Sequence, residues 1–161
     1  MPLNIRQLAT VVVLRQALLV LLVIGTVGTI VELLLLKHTD GFWQLAPLLL
    51  CALILADLAW FGVARSAASL RALQGIMLLT LLSGGIGVIQ HFRGNVAYAS
   101  ESNPSLSGRD LYVEAVMGST PTLAPGVMVQ LALIGLAFAF RHPRLRGATS
   151  EGDLPTPRIE S

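Results

Sequence analysis

The chain has 161 residues, 54% of them hydrophobic and 12% charged, with a formal net charge of +2. A mean hydropathy of +0.74 and so low a charge density exclude an ordinary soluble domain. The basic residues lie scattered over segment ends without a basic-aromatic patch, which excludes nucleic acid as the partner despite a pI near 9.2. The lipid bilayer is the solvent this composition fits.

A roughly 30 Å hydrocarbon core takes about 20 mostly apolar residues to cross. Four stretches meet that, over about 12–36, 42–64, 71–91 and 123–141. The first follows Arg6 and Arg15 but outruns a signal-peptide h-region and has no small-residue cleavage motif after Leu36, so it reads as a retained anchor. Within it "GTVGTIVE" puts Gly25, Gly28 and Glu32 on one helix face. "KHTD" then supplies His38 and Asp40 in a short loop. The second span carries Cys51, the only cysteine, which rules out an intrachain disulfide and reads as a packing residue. It also carries Asp57, whose ionised form is costly in hydrocarbon. Asp57 is therefore expected protonated or hydrogen-bonded, near Thr80 and Gln130, facing the interior.

The third span holds "GGIGVIQH", with Gly84, Gly87 and His91 at the spacing of Gly25, Gly28 and Glu32. The same sequence offset carries Arg6 onto Arg65. "LAP" recurs at 45–47 and 123–125, ahead of "CALILADLAWF" and "LALIGLAFAF". These echoes predict an internal duplication of one helical hairpin, the copies related by an axis along the membrane normal. Small residues let helices approach closely in lipid, so the two glycine faces are expected to meet and to bring Glu32 and His91 together.

Residues 92–122 form a long outer loop. In it "SGRDLYVEAVMG" predicts a short amphipathic surface helix over 108–117, with Ser107 and Asp110 as a capping-box-like start, Gly118 as C-cap, and Asp110 and Glu114 sharing a face. Pro121 and Pro125 stiffen re-entry into the last span, with Pro125 near a first-turn position. His142 in "RHPRLR" belongs to a basic flank. Residues 147–161 read as a disordered tail.

Arg6, Arg15, Arg65, Arg71, Arg141, Arg144, Arg146 and Arg158 fall on one side of this topology, and only Lys37, Arg93 and Arg109 on the other. The positive-inside rule then sets both termini in the cytoplasm, with the chain in the plasma (inner) membrane. The expected fold is an all-α integral membrane protein, a four-transmembrane-helix bundle over 1–146.

The leading expectation for function is a non-enzymatic binding or accessory subunit with an outward polar pocket around Glu32 and His91, acting with a membrane protein partner or as a homo-oligomer. His38, Asp40 and Glu114 are further candidates to line it. Carboxylate and imidazole are competent metal ligands, but the spacing matches no metal motif and no metal or cofactor is expected. Two alternatives remain open: a small proton-coupled carrier using Asp57 and Gln130, and a membrane enzyme on a lipid or quinone-like substrate with Glu32 and His91 as acid and base.

Overall fold

A computed structural model describes residues 5–118 and 121–145; the tail at 147–161 lies outside them. The described residues are helical, without strands, in five elements: α1 (Ile5–Leu35), α2 (Phe42–Ala64), α3 (Ala67–Ser102), α4 (Gly108–Met117) and α5 (Gly126–Ala139). Three of these, α1, α2 and α3, are long and apolar enough to cross a membrane, and α5 is a shorter apolar helix. Backbone polar groups satisfied within each segment are what such a solvent requires.

The helix starts and stops follow from local chemistry. Ser66 caps α3 by accepting the Ser69 N–H. Gly41, at φ 85°, turns the chain into α2, and Arg65, at φ 46°, ends it in the left-handed region with its N–H on the Phe61 carbonyl. Ser107 occupies the N-cap of α4, yet its side chain makes no cap hydrogen bond, so the expected capping box does not form. Gly118 ends α4 with extended backbone. A Cβ there would lie 3.0 Å from the Glu114 carbonyl oxygen and 3.1 Å from the Asn95 side chain, which is why a glycine follows α4.

The helix α3 differs from its expected extent. It continues past His91 to Ser102, because nothing between them breaks a helix before Pro104 and because α4 packs against the extension. At 1.5 Å per residue its 36 residues span about 54 Å, well beyond a roughly 30 Å hydrocarbon core. The excess carries α4, held by the Phe92–Tyr112 ring contact and by Asn95. Asn95 Nδ2 donates to the Ala115 carbonyl at 2.9 Å and to Thr122 Oγ1 at 3.1 Å, and Thr122 Oγ1 donates to the same carbonyl. One buried amide thus joins α3, α4 and the turn leading into α5.

In the core α1 packs on α2 and α5, and α3 on α2, α4 and α5. Leu22, Ile54, Leu70, Leu73, Met77, Leu131 and Phe138 form its centre. The glycines serve this packing differently from expectation. A Cβ at Gly25 would meet Leu131 at 2.7 Å, at Gly84 Val129 at 2.8 Å, and at Gly87 Pro125 at 2.7 Å, while Gly28 has nothing within 4 Å. Three of the four therefore open space for α5, and the faces of α1 and α3 do not meet. The two "LAP" tripeptides also differ: Pro47 lies inside α2, whereas Pro125 is the N-cap of α5.

At the end of the molecule opposite α4, arginines close the helix termini. Arg15 donates to the carbonyls of Phe138, Phe140 and Arg141 at 3.1 to 3.2 Å, and Arg144 donates to the Arg65 carbonyl. Cations at helix C-termini satisfy orphan carbonyls and complement the dipole.

Candidate functional site

Where α1 ends and α2 begins, the helices part around a cavity of about 690 Å3, within the roughly 300–1,000 Å3 range of small-molecule sites. Its walls are mostly apolar, including Leu33, Leu50, Leu82, Ile86 and Met128, with Phe42 and Trp43 at the start of α2. Its ionisable and amide side chains are those of Glu32, His38, Gln44, Gln90 and His91. They belong to the ends of α1 and α2, the turn between them, and the level of α3 where its extension begins.

Glu32, His38 and His91 thus share one cavity, but the expected pairing of Glu32 with His91 is not made. His91 Nδ1 lies 3.1 Å from the Pro121 carbonyl oxygen. A carbonyl can only accept, so Nδ1 carries the proton in that contact and Nε2 is left to face other groups. His38 shares this end of the cavity, and its pKa is pushed below its ordinary 6.5 by burial and then by His91. Two imidazoles and a carboxylate at one end of an apolar cavity can accept and donate hydrogen bonds to a polar head while the walls hold a hydrocarbon body.

The remaining candidates lie elsewhere. The Asp40 N–H donates to Gln44 Oε1 at 2.8 Å, so Asp40 shapes the α2 start without lining the cavity. Glu114 is exposed on α4. Asp57 is 6% exposed on the inward face of α2 with Cys51, Ile54 and Leu58, and neither carboxyl oxygen has a hydrogen-bond partner. Gln130 is exposed, and the Thr80 hydroxyl donates to the Ile76 carbonyl of its own helix. The structure does not join Asp57 to either. Among the described residues no three His, Cys, Asp or Glu side chains gather to hold a metal. Gln44 and Gln90 are lining residues that sequence reasoning missed; their only signal is being uncharged polar groups beside apolar span ends.

His142, at the other end, also has its pKa lowered, by burial first and then by Arg15 and Arg144. Both histidines are thus harder to protonate in the folded chain than at the ordinary 6.5. As pH falls through that value the unfolded chain takes up protons first, so stability is expected to drop between 6.5 and the lowered pKa values. Thermal unfolding in detergent from about pH 8 to about pH 5 should show that fall, and a His38→Gln/His142→Gln chain should show a shallower one. An unchanged slope in the double variant would contradict it.

No known protein family, curated protein or solved structure matches this chain. What fold and site define together is a helical protein with three candidate membrane-crossing helices and an apolar cavity with polar side chains at one end.

Proposed function

We propose that the chain is a multi-pass membrane protein that binds an amphipathic, membrane-soluble ligand in the cavity at the end of α1, as a binding or accessory subunit rather than an enzyme. The observation that carries this is the cavity itself: about 690 Å3, walled by hydrocarbon, with Glu32, His38 and His91 among its few ionisable groups. In this reading α5 is a fourth crossing. It is supported by contacts that run from Gly87 over Pro125 to the Phe61–Phe138 ring pair. Both termini lie in the cytoplasm and the cavity opens on the far side of the plasma membrane. Arg15, Arg65, Arg141 and Arg144 gathered at the opposite end support that orientation.

Glu32 and His91 act on the ligand from separate positions, not as a pair. Co-purification from native membranes, with bound small molecules and proteins identified together, tests the proposal. The wild-type chain should retain an amphiphile, and Glu32→Gln and His91→Ala should each reduce its retention about tenfold, the order of one hydrogen bond to a charged group. The double variant should lose about the product of the two effects, roughly a hundredfold, since uncoupled contacts add in free energy. Full retention in both single variants would overturn the reading.

A further inference from the structure

A second concavity, of about 310 Å3, lies at the opposite end of the molecule and is lined by Leu19, Leu58, Phe61, Gly62, Arg65, His142 and Arg144. Apolar side chains from α1 and α2 form its floor, and basic groups from the end of α2 and the segment after α5 form its rim. The rim is built rather than incidental. Arg65 sits in the left-handed cap of α2, and its carbonyl receives the Arg144 guanidinium, which fixes the two chain segments against each other. The His142 ring packs edge-on to Phe61 at 5.7 Å and against Phe138 at 5.7 Å, so it is held beside them.

No carboxylate among the described residues lines this concavity. The acid nearest along α2 is Asp57, two helical turns from Arg65 and turned into the core. Among the described residues the local positive charge is therefore left uncompensated; the His142 pKa, lowered first by burial, is lowered further by Arg15 and Arg144. Guanidinium groups match phosphate oxygens in planar, two-point geometry, and basic pockets between helices at a membrane surface take anionic headgroups. A hydrocarbon floor under a cationic rim fits a ligand that is anionic at one end and apolar at the other.

We infer that the concavity between Arg65, His142 and Arg144 is a binding site for the phosphate headgroup of an anionic membrane lipid, with the start of an acyl chain against Leu19, Leu58 and Phe61. This rests on neither the cavity at the end of α1 nor the orientation of the chain in the membrane. Arg65 supplies the decisive charge, because Arg144 spends part of its guanidinium on the Arg65 carbonyl.

The test uses the full chain in a neutral detergent, titrated with short-chain phosphatidylglycerol and with phosphatidylcholine of the same chains, read by native mass spectrometry. Phosphatidylglycerol should bind about tenfold more tightly, the order of one charge-assisted contact pair, and the preference should shrink as salt rises. Arg65→Gln should remove most of the preference while Arg65→Lys keeps part of it, which separates lost charge from misfolding. Equal binding of the two lipids, or an undiminished preference in Arg65→Gln, would overturn the site. Displacement by inorganic phosphate at the concentration of the lipid would make it a free-anion site instead. A preference seen only after deleting 147–161 would make the chain's own acidic tail the occupant.

Discussion

Gly84→Leu is expected to separate α3 from α5 and to destabilise the chain by about 3 kcal/mol, at the upper end of what overpacking a close contact costs. A Cβ at this position would lie 2.8 Å from Val129 Cγ2, 3.0 Å from the Val129 backbone nitrogen and 3.1 Å from Met128 Cβ. A side-chain tip can move aside; a backbone nitrogen and a Cβ on a packed helix move only with the helix. Gly84 is buried on the face of α3 that also holds Met77 and Thr80, so a leucine has no alternative direction. The fitting control is Gly28→Leu. Gly28 has nothing within 4 Å and is exposed, so the same change there should be neutral, or stabilising by up to about 1 kcal/mol through helix propensity. Thermal or denaturant unfolding in detergent would show the contrast. Equal losses in the two variants would mean that the glycine faces meet partners other than those described.

The second large effect is expected at Asn95. Asn95→Leu removes the donor that holds the Ala115 carbonyl and Thr122 Oγ1 in a site where Asn95 is only 4% exposed. Loss of a buried hydrogen-bonding partner costs about 1–3 kcal/mol. Thr122 Oγ1 still donates to the Ala115 carbonyl, so that oxygen keeps one bond and the cost falls on the coupling of α4 to α3. The consequence is local. Amide exchange should rise over α4 and the turn before α5, with little change in α1 and α2. Limited proteolysis between Ser102 and Gly108 should quicken in parallel. Uniform exchange across all helices would show instead that Asn95 supports the whole fold.

The cavity itself depends on both regions. Gly87 lets Pro125 approach α3, and the turn held by Thr122 places Pro121, whose carbonyl orients His91. A glycine in the cavity wall and a buried amide outside it thus set where the neighbouring side chains stand.

Much of this was legible in the residues because hydropathy reports burial in a solvent directly. Long apolar runs, charges confined to their ends and a short amphipathic stretch at 108–117 are one-dimensional signals, and α1, α2 and α4 follow from them. Glu32, His38 and His91 stood out as ionisable groups at the ends of apolar spans, and they line one cavity. The extent of α3 was not legible, since Phe92 to Ser102 is polar enough to read as loop and is helical where Asn95 and Ala99 are buried against neighbours. Spacing put Gly25 and Gly84 on helix faces, but which helix fills each face depends on how every other helix packs. The tertiary structure gave both to α5 and left Gly28 open. For the same reason it gave His91 the Pro121 carbonyl as its hydrogen-bond partner, not Glu32. Sequence periodicity determines which side of a helix is small, apolar or charged, because that is a property of one helix alone. Which partner meets that side is settled only when several helices compete for the same contacts, and here the tertiary structure decided it.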